Sequence, residues 1–459
     1  MSTDAARTET AIALGAVVAA ACVVARPQTG VLATVGLASL TALLLVHRQW
    51  LWGLMLFVVT LVPLPEVAAT SGISLTPLLA VPVVLLVRHL VVAGPTAAHR
   101  LAVYLLLLLT VWLGITVLHS VQTKTSLGWL VYFVLLVVVP ALVGSVDRSA
   151  HEGITYAWVL LAGVLGAYAV IEGFVLHSNP LFDAVYLHAR ASVFPIQHWS
   201  VYRATTVFSQ PVAAGVFLAV AVPLSLGRLL RRPSILTAAA TIFSIAGLVA
   251  TASRAASLGA LAGALLCLLL PSRDRARHRV RSARVLAACL LLTAIAFGGW
   301  YLTQRSGTEV SNSAKFRHVE VPLADTSIHE HPLGVGAGVA SVSQRPLLKE
   351  NGGAGAFESI WLELAVGAGV PGLVLGAAVL IATILGAVRA RAPAIAGGLV
   401  AWTVSATAYN ALEGSRPALL YFGLLLAAAF SARADTAAVE APRAAAPASP
   451  ELVPAGQHA

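Results

Sequence analysis

Apolar runs of about 16 to 24 residues follow one another along almost the whole chain, each long enough as a helix to cross a hydrocarbon core ~30 Å thick. Only 10% of the residues are charged, whereas soluble domains carry about 25%. We therefore predict an all-α polytopic membrane protein with about 12–14 transmembrane helices. The runs centre near residues 18, 38, 57, 83, 110, 136, 164, 216, 243, 262, 293, 372, 403 and 424.

Basic residues collect in alternate connections between these runs. Lys and Arg near helix ends are retained on the cytoplasmic side. We therefore predict a protein of the cytoplasmic membrane, with these connections and both termini in the cytoplasm. The pattern accounts for the net charge of +10, so the charge is not a sign of nucleic-acid binding. The clusters are Arg228, Arg231 and Arg232; Arg273, Arg275, Arg277, Arg279, Arg281 and Arg284; and Arg389 with Arg391.

Polarity divides the chain into three parts. Residues 1–176 have few ionisable side chains inside their spans and are interpreted as a transmembrane scaffold, in which Glu172, near a span end, extends to the membrane surface. Residues 177–431 carry the external connections, including a large external loop at 303–357. Residues 432–459, rich in Ala and Pro, are expected to be a disordered cytoplasmic tail.

Three ionisable residues in the external connections suit chemistry on a charged substrate. Arg203 precedes an apolar run, and Arg254 lies between two short runs that form two helices or one interrupted helix. Either arginine can bind phosphate, or can serve as an interfacial anchor or as part of a simple turn. Glu358 lies near the start of a predicted helix, where the helix dipole favours a carboxylate whatever its function.

The loop 303–357 also contains two histidines, His329 and His331, followed by closely spaced glycines. Zinc sites usually have three or four protein ligands, and nothing nearby completes such a set, so neither metal nor cofactor is expected. Glycine permits close backbone approach, either to a ligand or within a turn. The glycines are Gly334, Gly336 and Gly338.

Four segments between about residues 200 and 385 share their order with one family of membrane enzymes. They are an arginine followed by Phe and Pro (Arg203–Pro223), a Thr-x-Ser-Arg-Ala motif (Thr251–Ala255), a His-Pro-Leu-Gly-Val-Gly motif (His331–Gly336), and Leu-Glu followed by Gly-x-x-Gly (Glu363, Gly369 and Gly372). Together they resemble the O-antigen ligase and O-antigen polymerase superfamily. The resemblance implies a GT-C-like fold with external loops above a lateral, lipid-accessible cavity.

The resemblance also implies an activity. Members of such a family transfer glycan from a polyprenyl-diphosphate-linked donor to a hydroxyl of a glycan or lipid acceptor, without metal. The partners that the resemblance implies also include membrane lipids and polysaccharide-assembly proteins. Arg203 and Arg254 are then expected to bind the diphosphate, because the guanidinium fork suits phosphate oxygens. Further expected substrate-binding residues are His329, His331, Gly334 and Gly336.

One position departs from the family pattern. Many ligases have His-Asn-Ser before the Leu-Glu motif, whereas this chain has Glu358 and Ser359 there. Glu358 is therefore the expected general base, with reference pKa ~4.3, and the substitutes are His318, His329 and His331. The main alternative is a polysaccharide exporter or lipid-linked oligosaccharide flippase. A transporter is expected to carry charges near the bilayer midplane, whereas here the charges collect at the predicted outer boundary.

Overall fold

A computed structural model describes residues 100–147, 149–180, 202–208, 210–270, 307–350, 356–413 and 416–440, with isolated positions at 52–60 and 292–299. Of residues 307–316, 416 and 433–440 it describes only the helical backbone. Every regular element in these ranges is a helix, which confirms the all-α prediction. The predicted runs near residues 18, 38 and 83 lie outside the described residues, and those near 57 and 293 contain only isolated described positions.

Twelve helices are described, and five of them are long and apolar enough to cross a membrane, as expected for a multi-pass protein. These five are α1 (Arg100–Leu118), α2 (Thr123–Gly144), α3 (Ser149–Leu176), α4 (Pro211–Arg231) and α10 (Gly369–Arg389). Shorter apolar helices are α5 (Ile235–Ala250), α6 (Arg254–Leu269), α11 (Pro393–Ala406) and part of α12 (Arg416–Glu440). The remaining helices are α7 (Gly307–Glu330), α8 (Ala340–Glu350) and α9 (Ile360–Gly367).

Small residues bring α3 and α5 into close contact. A Cβ added to Gly247 of α5 would lie only 2.6 Å from Gly166 Cα of α3, so only glycine fits there. Two turns further along α3 and one turn further along α5, a Cβ on Gly173 would lie 3.0 Å from the Ala250 Cβ. This contact places the end of α3, where Glu172–Leu176 form a π-helical turn, beside the end of α5.

The connection between α5 and α6 is a tight turn of Thr251, Ala252 and Ser253, in which Ala252 has φ of 48°. The two short apolar runs on either side of it are therefore two helices, not one interrupted helix. Arg254 is the first residue of α6.

Two of the predicted basic clusters lie at the opposite end of the helices. Gly227, near the end of α4, packs against Ala394 at the start of α11. Arg231 in the last turn of α4 and Arg389 in the last turn of α10 are therefore at the same end of the bundle. That this end faces the cytoplasm stays a prediction.

The polar connection 303–357 is more ordered than a loop. It contains α7 and α8, joined by the glycine-containing segment His331–Val339. The predicted run near residue 372 is also divided, because the chain turns at Ala368 and Gly369, which has φ of 70°. Helix α12 continues to Glu440, past the start of the predicted tail, and residues 441–459 lie outside the described residues.

Candidate functional site

Arg203 is held against the turn that precedes Arg254. Its extended segment pairs with the end of α5, since the Ala204 amide donates to the Ala250 carbonyl at 3.0 Å. The Arg203 Nε donates to the Thr251 carbonyl, also at 3.0 Å, and the residue is only 6% exposed. Two of the motifs quoted from the sequence are thus in direct contact. Arg254 follows three residues after Thr251 and is exposed, and its part in substrate binding stays a prediction.

Glu358 lies just before α9 and is half-buried. Burial raises the pKa of Glu358 above its ordinary value, and the positive charges of Arg317 and Arg203 oppose that rise. Arg203 and Glu358, more than 150 residues apart in the chain, are therefore close enough to interact electrostatically. A half-buried carboxylate beside guanidinium groups is an arrangement suited both to proton transfer and to the binding of an anionic group.

Arg317 and Glu320 of α7 belong to the same site, although the sequence analysis missed both. Glu320 is 2% exposed, and its Oε1 accepts a hydrogen bond of 2.6 Å from the Glu358 amide. Burial, and then the charge of Glu358, raise the pKa of Glu320 to about 7, while the Glu358 amide and Arg317 lower it. The available sequence signal was an Arg and a Glu three residues apart, which share a face of a helix.

The segment His331–Val339 consists of turns and lies between two helix connections. The Val335 and Gly336 amides donate to the carbonyls of Val366 and Gly367 at 3.0 and 2.9 Å. On the other side, the Val121 amide donates to the Val335 carbonyl at 3.1 Å. The motif therefore joins the α1–α2 connection to the end of α9.

The glycines of this segment have backbone conformations that favour glycine. Gly334, Gly336 and Gly338 have φ of 92°, 123° and 73°, and L-residues with a side chain are strained there. A Cβ on Gly336 would overlap Ser120, and one on Gly338 would overlap the Trp129 side chain. Packing and turn geometry thus account for the glycines, and a direct contact of Gly334 or Gly336 with substrate stays a prediction.

The histidines of this region are on the surface. His318 and His329 of α7 and His331, the first residue of the segment, are all exposed. The His329 Nδ1 lies 2.8 Å from the Asp325 carbonyl oxygen and 3.5 Å from Asp325 Oδ1, so these contacts remain within one turn of α7. Roles for His329 and His331 in substrate binding also stay predictions.

The carboxylate of the Leu-Glu motif organises the backbone. Glu363 is 3% exposed and accepts hydrogen bonds from the Leu412 and Glu413 amides at 3.1 and 3.2 Å. Glu413 in turn accepts from the Ala340 and Ser341 amides, both at 2.8 Å, at the start of α8. These two carboxylates connect α9, the α11–α12 connection and α8, which explains an acidic residue at the motif position without assigning it to substrate.

Glu172 does not extend to the membrane surface, so that prediction is wrong. The residue is 0% exposed and its carboxylate accepts hydrogen bonds from the segment that carries Arg203. Its Oε1 accepts from the Thr205 amide at 2.8 Å, the Tyr202 hydroxyl at 3.0 Å and the Thr205 hydroxyl at 3.2 Å, and its Oε2 accepts from the Thr206 amide at 2.8 Å. Buried carboxylates require such partners.

Comparison with known proteins supports the resemblance seen in the motifs. A family model described as O-antigen ligase matches residues 239–377. A search of curated proteins gives no significant match. The matched range contains Arg254, the His331–Gly336 motif and Glu358, whereas Arg203 precedes it.

Proposed function

Because the chain belongs to the O-antigen ligase-like family, we propose that it transfers or polymerises glycan from a polyprenyl-diphosphate-linked donor onto an acceptor hydroxyl. The reaction takes place at the outer face of the cytoplasmic membrane and serves cell-surface or exopolysaccharide synthesis. The observation that carries the proposal is that the half-buried carboxylate of Glu358 lies close enough to Arg203 to interact with it electrostatically. Arg203 is itself hydrogen-bonded to the Thr251 carbonyl.

Arg203 and Arg254 bind the diphosphate of the donor. Arg203 suits this role because it is nearly buried and its Nε is fixed by the Thr251 carbonyl, so little side-chain freedom is lost when an anion binds. Arg254 begins α6, where the helix dipole also favours an anion. As the glycosidic bond breaks, negative charge grows on the diphosphate, and positive groups placed in advance stabilise that charge.

Glu358 is the general base. An oxygen of the acceptor hydroxyl attacks the anomeric carbon, the bond from that carbon to the diphosphate oxygen breaks, and the electron pair leaves with the polyprenyl diphosphate. The hydroxyl proton passes to the Glu358 carboxylate. Since burial raises the pKa of Glu358, the group is a stronger base than an exposed glutamate, which assists proton transfer near neutral pH.

Removing either phosphate-binding arginine is expected to reduce transfer strongly. We expect Arg203→Ala and Arg254→Ala each to lower kcat/KM by about 10²- to 10³-fold, the effect of losing one donor to a developing anion. The measurement is chromatographic detection of product from purified protein in proteoliposomes, supplied with undecaprenyl-diphosphate-linked oligosaccharides and a polysaccharide acceptor. Arg345→Ala is the matched control, because Arg345 is an exposed arginine of the same polar connection.

The same proteoliposomes separate the proposal from transport. Wild-type rates retained in both arginine variants would refute the assignment of these residues. If wild-type protein forms no product with any donor but moves the labelled donor across the bilayer, the protein is a flippase and the proposed reaction is wrong.

Glu320 is expected to affect the pH dependence of the reaction. The charge of Glu358 helps to raise the pKa of Glu320 to about 7, so Glu358 is already ionised when Glu320 loses its proton. Above that pH the added negative charge of Glu320 should repel the diphosphate of the donor, and wild-type kcat/KM should fall as the pH rises through about 7. Glu320→Gln carries no such charge at any pH, while it keeps an oxygen that can accept from the backbone amide of Glu358, so this fall should be absent between about pH 5 and 9. Glu330→Gln, an exposed change on the same helix, should retain the fall. A fall of wild-type size in Glu320→Gln would contradict this role of Glu320.

A further inference from the structure

A buried carboxylate binds the backbone next to Arg203 with both of its oxygens. The two oxygens of Glu172 accept from the consecutive amides of Thr205 and Thr206, each at 2.8 Å. The hydroxyl of Tyr202 adds a bond of 3.0 Å from the other side of Arg203. The carboxylate thus contacts residues on both sides of the arginine in the chain.

The turn at Thr205 and Thr206, which Glu172 binds, has a backbone conformation that its own sequence does not favour. Thr206 has φ of 54°, a region in which a β-branched residue is an outlier. The Thr206 hydroxyl oxygen is buried and has no hydrogen-bond partner among the residues that the structure describes. The Thr206 side chain therefore adds no hydrogen bond there that would stabilise the turn. Strained backbone of this kind persists where surrounding groups determine it, and often lies at functional sites.

A second side chain, that of Asn179 just beyond the end of α3, supports the same turn. The Asn179 Nδ2 donates to the Thr205 hydroxyl at 2.7 Å and to the Thr206 carbonyl at 2.6 Å. Asn179 is itself oriented by the Tyr168 hydroxyl, which donates to its Oδ1 at 2.9 Å. The end of α3 and the residues just after it therefore fix the turn through two polar side chains, Glu172 and Asn179. The glycine contacts between α3 and α5 place this end of α3 beside α5.

We propose that Glu172 is a positioning residue, which holds the turn at Thr205 and Thr206 so that Arg203 is aimed at the substrate site beside Glu358. Its role in catalysis rests on the proposed function, whereas its effect on the position of Arg203 does not. Glu172 contacts no reacting atom in this scheme and acts only through Arg203.

The variant Glu172→Gln tests the two-oxygen contact with little change in size. An amide has only one acceptor oxygen, so either orientation of the glutamine directs its NH₂ group at a backbone amide, that of Thr205 or that of Thr206. The turn should open, and Arg203 should become accessible. Modification by phenylglyoxal, quantified at each arginine by mass spectrometry, should be at least about tenfold faster at Arg203 than in wild type.

Arg228 provides the control for general loosening of the fold. Its guanidinium lies 4.6 Å from the centre of the Tyr156 ring, in the last turn of α4 at the far end of the bundle. Its modification rate should not change in Glu172→Gln. An unchanged rate at Arg203, or an equal increase at Arg203 and Arg228, would overturn the proposal. This measurement needs no substrate, so it stands even if the proposed glycan transfer fails.

A double-mutant cycle then tests the catalytic consequence. A misplaced binding group can cost about 10²-fold in rate, so Glu172→Gln alone should lower kcat/KM by about 10- to 100-fold. In an Arg203→Ala background the same change should cost no more than about twofold, because the residue through which it acts is gone. Equal effects in both backgrounds would show that Glu172 does not act through Arg203. Glu152→Gln, an exposed change near the other end of α3, should have wild-type activity.

Tyr202→Phe is a milder form of the same test, should Glu172→Gln not fold. It removes only the hydroxyl that donates to Glu172 Oε1 and keeps the ring that packs edge-on against His177. We expect the same direction of change at a smaller size, about 2- to 5-fold in Arg203 modification and in kcat/KM. No change in either quantity would count against the proposal.

Discussion

Glu358→Gln is expected to lower kcat/KM for glycan transfer by about 10²- to 10⁴-fold, the contribution usual for a positioned general base. Glutamine preserves the size of the side chain but cannot take up the acceptor's proton. The backbone N–H of residue 358 still donates to Glu320 Oε1 in the variant, so the loop before α9 should keep its position. The measurement is the initial rate of product formation at saturating acceptor and at donor concentrations well below KM, which gives kcat/KM for the donor. Glu350→Gln, an exposed change at the end of α8, is the control.

A second substitution at this position separates proton transfer from charge pairing. Glu358→His supplies the residue type that many members of the family have there, and an imidazole with an ordinary pKa of about 6.5 is an effective base near neutral pH. We expect it to recover at least about tenfold over Glu358→Gln. If Glu358 only balanced the charges of Arg203 and Arg317, the histidine variant would have no higher kcat/KM than the glutamine variant. Both variants would then lower thermal stability rather than rate.

The membrane helices were predictable because their signal is local. An apolar run long enough to span is visible in the sequence whatever it packs against. Of the nine described helices formed by such runs, eight lie where they were expected, whereas the run near residue 372 is divided between α9 and α10. The break at Thr251–Ser253 was visible only as an ambiguity, and its resolution depends on contacts between α5, α6 and α4.

The helices of the polar connection were not predictable in this way. Their few apolar residues are dispersed, and no run of them stands out in the sequence. They become a core only when α7, α8 and the glycine segment are brought together with α9 and with Phe357 before it. The buried members of that core are Ala324, Val335, Val339, Ala340, Leu348, Phe357 and Val366.

The same distinction applies to the site. Arg203, Arg254 and Glu358 could be named as candidates because the sequence places them at predicted membrane boundaries and within recognisable motifs. Glu172 was assigned to the membrane surface and Glu320 was missed because their partners are far away in the chain, 33 residues to Thr205 and 38 residues to Glu358. A glutamate near the end of an apolar run has the same sequence signature whether it extends to water or accepts four buried hydrogen bonds.

Gly338→Ala tests whether the glycines of the His331–Val339 segment serve packing or substrate binding. The added Cβ would overlap the Trp129 side chain, which has little room to move because its Nε1 donates to the Leu412 carbonyl at 2.8 Å and its ring stacks on Phe133 at 5.3 Å. Overpacking costs ~1–3 kcal/mol and a left-handed backbone with a side chain a further ~1–2 kcal/mol.

The expected result for Gly338→Ala is therefore a loss of about 2–5 kcal/mol in the free energy of unfolding, measured as a lower midpoint of thermal unfolding in detergent. Gly128→Ala is the matched control: it lies on α2 next to Trp129, and a Cβ there meets nothing within 4 Å, so alanine should be neutral or stabilising by up to ~1 kcal/mol. A Gly338→Ala protein with wild-type stability and a raised KM for the donor would reverse the conclusion. It would mean that Trp129 yields easily and that the glycine segment faces substrate. The destabilised outcome would instead mean that this motif holds α7, α8 and the α1–α2 connection together.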